Sequence, residues 1–213
     1  NIKSNTKRMM YSQLRLASEN DFLSIIDLFP RKYGAISKAC IDTNTNDRDT
    51  KIYVTTINNK NNFVDCTDTT KKNLKSYLDN YKLINTGNIS VNNMIVINFG
   101  INFEIVLKRG YDLRVVLLEC FNKLKERLNN DNMEPETPIY KIEIINLLEN
   151  IDGVKNVNYI KWKQVKVYGN DNQITTTKWD EDAAYTPICK NGILEIHDFN
   201  NDLIGNVIKD GNY

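Results

Sequence analysis

The densest group of residues able to do chemistry is the stretch WDEDAAY, residues 179–185. Asp180, Glu181 and Asp182 follow one another there, between the aromatics Trp179 and Tyr185. Paired carboxylates can share acid and base roles, or hold a divalent cation through their oxygens. No further ligand stands at a recognisable spacing elsewhere in the chain. The stretch therefore reads as a solvated loop or docking segment, with a metal-dependent hydrolase as the enzymatic alternative. The single histidine, His197, lies in LEIHDF, where strand alternation sets it opposite Leu194 or beside Asp198. A histidine next to an aspartate is not a triad, and no serine or cysteine has a GxSxG-like setting. Cys40, Cys66, Cys120 and Cys189 form no CxxC pair. With one histidine this excludes the familiar zinc spacings, and four dispersed thiols disfavour a small disulfide scaffold. Cys120, inside VVLLECF, reads as a buried small hydrophobe, and reduced thiols are expected throughout. DTNTNDRDTKIY, from Asp42, has the outline of a calcium loop but carries Asp47 where glycine is required and Tyr53 where the last carboxylate belongs. It is read as a hairpin turn. GxGxxG and GxxxxGK[ST] are both missing, so nothing supports nucleotide binding. The expectation is a protein that is not an enzyme, with no catalytic residue, cofactor or metal.

Composition points the same way. Apolar residues are 41% and charged residues 26% of 213, enough apolar material for a true core. Lys plus Arg is 28 against 27 for Asp plus Glu, and the signs are interspersed. Proteins that grip phosphates usually carry a basic stripe. The best candidates, TKKNLKSY and KLKER, fall on the solvent faces of expected helices. No apolar run is long enough to span a bilayer, and NIKSNTKRMMYSQ lacks the apolar centre of a signal peptide. Neither membrane nor nucleic acid is expected as a partner. The first residue is Asn1 rather than methionine, so the chain is read as a piece of something longer or a processed product.

The elements that must position these residues follow from periodicity. Ser18 reads as an N-cap with Asp21 completing a capping box, and Phe22, Ile25, Ile26 and Phe29 then recur at helical spacing. Pro30 ends that helix, Gly34 turns the chain, and AISKACI and KIYVTTI alternate as a strand pair. A second helix starts at Thr67 or Asp68, with Leu74, Tyr77, Leu78 and Tyr81 as its apolar stripe. LINTGNISVNN crosses to a second module. There MIVINFGINFEIVLKRGY supplies one or two strands, broken at or near Gly100. Asp112 caps a long helix with Val115, Leu118, Phe121, Leu124 and Leu128 inward. DNMEPETP breaks the chain, and Ile144, Leu147, Leu148 and Ile151 mark another helix. Gly153 supplies the left-handed residue at its end. A long strand follows, with Val154, Val157, Tyr159 and Trp162 as packing candidates. The fold class is α+β: two small sheet-plus-helix modules, α-β-β-α over 17–84 and β-α-α-β over 85–168. An extended C-terminal docking segment occupies 169–213, with GILEIHDF as its one hairpin arm. A large aromatic in such a polar tail usually anchors an interface. Trp179, Tyr185, Phe199 and Tyr168 are the candidate interface residues.

Taken in order, several segments resemble baseplate J-like tail proteins. ENDFLSIIDLFP followed by KYGAISKACI resembles their helix-Gly-strand element. YDLRVVLLECFNKLKERLNND followed by PIYKIEIINLLENIDGVKNVNYIKW is similar to their late domain. WDEDAAYTPICKNGILEIHDFNNDLIGNV is similar to the closing segment of T4-type wedge proteins, with Asn191-Gly192, LEIHDF and DLIG. The resemblance covers most of 17–206. It departs where a proline-rich run would follow the Asn-Gly turn, and a large N-terminal portion is missing. The resemblance implies a mechanical role in the virion, at the tail baseplate, assembled in the host cytoplasm. The chain would join wedges into a ring around the tail hub, its partners being copies of itself (dimer or ring) and other wedge proteins. The alternative is a protein- or nucleic-acid-binding α+β module without catalysis.

Overall fold

The structure, a computed structural model, describes residues 16, 18–43, 49–82, 87–168 and 179–209. The fold is α+β, and the chain divides into two compact units, Asn1–Met94 and Ile95–Tyr213.

In the first unit α1 spans Glu19–Asp27. Ser18 and Asp21 form the expected capping box: the Ser18 N–H donates to Asp21 Oδ2 at 2.9 Å and the Asp21 N–H to Ser18 Oγ at 3.3 Å. Two of the orphan donors of the first turn are thereby satisfied. β1 (Lys38–Thr43) pairs antiparallel with β2 (Thr50–Ile57), Asp42 opposite Lys51. The turn centred on Asp47 lies outside the described residues. β3 (Phe63–Val64) is antiparallel to the end of β2, and α2 (Asp68–Asp79) follows, capped by the Thr67 side chain. Residues 89–93 of the expected linker form β4 (Ile89–Asn93), which pairs parallel with β2. Ile25, Ile52, Val54, Leu74, Leu78 and Ile89 make the core between helices and sheet. Phe29, Tyr77 and Tyr81 close its margin edge to face, at centroid separations of 5.5 and 5.3 Å.

The second unit is organised around β5 (Ile95–Leu107), a strand of 13 residues. It runs unbroken through Gly100; the expected break is instead a register shift against β6 (Val154–Tyr168) between Asn98 and Phe99. α3 (Leu113–Arg127) and α4 (Lys141–Glu149) connect β5 to β6. β7 (Gly192–Glu195), α5 (Phe199–Asp202) and β8 (Leu203–Lys209) complete it. The hairpin expected at GILEIHDF does not form. β7 lies parallel to Ile95–Asn98 and β8 parallel to Ile101–Leu107, so two short strands share one edge of β5 in line. A local reading cannot foresee this, because parallel partners are joined by crossovers rather than by a turn signal.

Alternation along β5 sends Ile97, Phe99, Ile101, Phe103 and Ile105 to one face, all essentially inaccessible. α3 covers that face, with Phe103 and Phe121 edge to face at 5.6 Å. The inward stripe of α3 differs from expectation: Val116, Cys120 and Leu124 are buried, while Val115 and Leu118 are 63% and 61% exposed. The first two turns of this helix are apolar on nearly every side, so periodicity alone does not choose a face. Of the β6 candidates, Val154 and Trp162 are buried as expected, joined by Ile160, whereas Val157 and Tyr159 are half-buried. Gly153 takes φ +95°, but the helix has already ended at Glu149.

Asp112 caps α3 by accepting from the N–H groups of Arg114 at 2.7 Å and Val115 at 3.4 Å. Asp112→Ala should cost about 0.5–2 kcal/mol, read as a loss of amide-exchange protection in α3. Unchanged protection there would show that the cap contributes nothing.

Candidate functional site

The stretch 179–186 is a strap pinned to β6 and to the start of α4. The backbone N–H of Trp162 donates to the Glu181 carbonyl at 3.0 Å, and its indole N–H to the Ala183 carbonyl at 2.9 Å. Lys141 N–H reaches the Ala184 carbonyl at 2.8 Å, and Thr186 N–H reaches Ile139 O at 3.0 Å. Thr186 Oγ1, on a fully buried residue, accepts from Ile139 N–H at 2.9 Å. These bonds consume backbone groups that a free loop would leave to water, which is why so polar a segment is held in place.

The three carboxylates of the strap do not converge. Asp180 Oδ1 is used locally, accepting from Asp182 N–H at 2.9 Å, and Asp182 Oδ1 stands 3.7 Å from Lys141 Nζ. All three residues are exposed. Among the described residues no group of three His, Cys, Asp or Glu is arranged to hold a metal ion. The strap positions peptide groups and aromatics, and its acids face water.

The four interface candidates are not one patch. Tyr185 forms an isolated antiparallel bridge with Tyr140, their rings 5.9 Å apart, and both rings are about half exposed. Trp179, at the head of the strap, is half-buried. Phe199 opens α5 in the β7–β8 crossover, on the opposite side of β5 from β6 and its strap. Tyr168 ends β6 with its backbone opposite Val96; its side chain lies outside the described residues. Further exposed apolar side chains of this unit include Val115 and Leu118, expected inward, and Tyr140, Ile142, Ile204 and Ile208, which were not singled out from the sequence. The alternation of LIGNVIK carried a signal for the last two.

Elsewhere the described residues of this unit include two buried carboxylates, Asp202 and, on β7, Glu195 at 1% exposure. Asn130 Nδ2 donates to its Oε1 at 2.9 Å, and the half-exposed His197 places Nδ1 3.9 Å from Oε2. The His197 imidazole thus faces the Glu195 carboxylate. An open groove of about 840 Å³ runs between α3 and α4, lined by Glu119, Lys123, Glu126, Arg127 and Leu147. Arg127 Nε and Nη2 both lie 2.5 Å from Glu143 Oε1, so two donors of this arginine share one carboxylate oxygen. In the first unit a smaller hollow of about 450 Å³ lies between α1 and β1, beside Phe29, Arg31 and Lys38.

Burial pushes the thiols of Cys66 and Cys120 up from 9.0 to about 11. Both stay neutral in the folded protein at physiological pH, and only the thiolate reacts. At pH 8 a thiol reagent should modify Cys189 readily, and Cys66 and Cys120 only once denaturant is added. Rapid reaction of either buried thiol in the native protein would contradict the burial. The raised values also set a pH slope. The unfolded chain begins to lose these protons near 9.0 while the folded chain holds them. Their contribution is therefore complete below 9.0 and is lost as pH rises towards about 11.

No helix among the described residues is long and apolar enough to cross a membrane. No protein-family model matches the chain, and no curated protein matches it. Among solved structures, the fold is similar to that of a chain in the cryo-EM structure of the anti-feeding prophage (AFP) baseplate, six-fold symmetrised. The superposition has a TM-score of 0.61 at 8% sequence identity and covers 92% of this chain. It covers 41% of that chain, so this protein spans about two fifths of the length of the baseplate component it matches. The likeness at that identity is one of fold.

Proposed function

We propose that this chain is a structural subunit of the baseplate of a contractile tail. The observation that carries the reading is the fold match, which at 92% of the chain takes in both units rather than one module. The candidate site supports it: the strap carries peptide groups and aromatics, and its carboxylates are spread into solvent. In this reading the chain is a wedge component of the baseplate J-like kind that helps to join wedges into a ring around the tail hub. It binds further copies of itself and other wedge proteins, in the virion, after assembly in the host cytoplasm. Obligate contacts in such assemblies commonly bury more than about 2,000 Å². A permanent contact of that kind needs accessible anchors; the exposed Tyr185 and the half-buried Trp179 stand on a strap held by three backbone–backbone bonds, the Thr186 hydroxyl and the Trp162 indole.

Immunogold labelling of purified contractile particles with an antibody to this chain tests the role. Label at the distal end of the tail is the expected result; particles complete and infectious without the chain would end the proposal. For the site, Trp179→Ala should weaken association with the remaining wedge proteins at least tenfold while leaving the melting temperature unchanged. A lower melting temperature with undiminished association would make Trp179 a packing residue.

A further inference from the structure

β8 is an edge strand. It pairs with β5 along one side, in unbroken register from Ile101/Leu203 to Leu107/Lys209. Among the described residues, no backbone group of Leu203–Ile208 is hydrogen-bonded on its other side. Alternate N–H and C=O groups of a strand point away from its neighbour, so this edge is a row of open donors and acceptors. Edges are usually protected by charge, proline, a bulge or a covering element. Leu203–Ile208 contains no charged residue and no proline, and its register with β5 has no shift. The side chains on the face that α3 does not cover are Ile204, Asn206 and Ile208. The two isoleucines are 42% and 44% exposed, and Asn206 Nδ2 donates to Tyr159 Oη at 3.4 Å.

We infer that the open edge of β8 receives β8 of a second copy of this chain, antiparallel, about a two-fold axis through Asn206. The inference rests on the structural-subunit reading and names one of its partners. The pattern Ile-Gly-Asn-Val-Ile, residues 204–208, is self-complementary in that register. Ile204 of one copy stands opposite Ile208 of the other, Gly205 opposite Val207, and Asn206 opposite its own mate. Both exposed isoleucines of each copy then lie in apolar cross-strand pairs, the unit of stabilisation between strands. The match in charge is what singles out a second copy. Lys209, the one charge of β8, falls opposite Leu203 of the mate in this register, so two copies meet with no like charges opposed. Two sheets become one continuous sheet, and the isologous contact closes on itself. About five residue pairs are far fewer than a standard interface, so the isolated dimer should dissociate in roughly the micromolar range.

Cysteine cross-linking of the full chain tests the register, in a Cys189→Ser background because Cys40, Cys66 and Cys120 are buried. Mild oxidation of Asn206→Cys should give a covalent dimer. Ile204→Cys alone should not, whereas an equimolar mixture of Ile204→Cys and Ile208→Cys should. By sedimentation velocity the double variant Ile204→Lys, Ile208→Lys should dimerise at least tenfold more weakly, with its circular dichroism unchanged. A chain that remains monomeric at about 100 µM overturns the inference, since that is well above the expected dissociation constant. So does an Ile204→Cys variant that links to itself as readily as Asn206→Cys. A dimer that survives the double lysine variant also overturns it, by locating the contact on another surface. The baseplate reading would stand in that case, because it depends on labelling of particles.

Discussion

Trp162→Ala should destabilise the second unit by about 3–5 kcal/mol, the range for truncating a fully buried tryptophan. Trp162 is 1% exposed, and its ring meets Phe99 edge on at 6.3 Å. Truncation leaves a cavity under β5 and removes the donor that the Ala183 carbonyl uses. The strap would then lose one of its two ties to β6, keeping only the Trp162 N–H to Glu181 bond. Trp162→Phe separates the two effects: it keeps most of the ring and loses the indole N–H, so about 1–3 kcal/mol is expected. Because the chain has two units, a single unfolding free energy is not well defined, and amide exchange is the better readout. β5, β6 and the Lys141 and Thr186 amides should lose protection, while β1 and β2 keep theirs. An alanine variant with protection within about 1 kcal/mol of the parent would show that Trp162 is not a keystone of this core.

Gly100→Ala should cost about 1–3 kcal/mol, the usual penalty for forcing an extra carbon into a packed interior. A Cβ built on Gly100 would lie 2.5 Å from the Asp202 carbonyl oxygen and 3.3 Å from its carbon. A flexible side chain could swing aside, but this obstacle is backbone. It is held by the Asp202 N–H to the Asp198 carbonyl at 2.8 Å and by the Asp198 N–H to Asp202 Oδ2 at 3.0 Å. The next residue, Leu203, is already paired with Ile101. Relief therefore requires the β7–β8 crossover to lift off β5, and exchange protection in β8 should fall more than in β6. Equal loss in both strands, or none, would contradict the close approach. Glycine at this position lets two strands in line bridge their gap over the middle of β5.

Much of the local structure was legible in the residues. The capping box at Ser18, the caps at Thr67 and Asp112, the apolar stripes of α1, α2 and α4, and the burial of Cys120 and Trp162 all follow from short-range rules. Those rules concern side chains within one or two turns of each other, or two residues apart on a strand, and nothing distant alters them. The strap was legible in part. Its aromatics and acids stood out in WDEDAAY, but the peptide groups that pin it belong to Trp162, Lys141 and Ile139, more than 17 positions away.

The amino-acid sequence by itself determined α1 to α4 and the strands β1, β2, β5 and β6, and that no recognised catalytic or nucleotide-binding motif is present; β3, β4, α5 and β8 were not read from it. Those properties depend on backbone propensity, capping chemistry and periodicity, which act locally. Only the tertiary structure decided which side of α3 is buried, that Glu195 turns inward to Asn130, and that β7 and β8 lie parallel to β5 end to end. Each of these turns on a partner far along the chain. A helix apolar on most sides is indifferent to which side it buries until a sheet is set against it, and a parallel strand has no turn to announce its neighbour. The open edge of β8 is the same kind of property, since an unpaired strand can be recognised only once every other strand has found its partner.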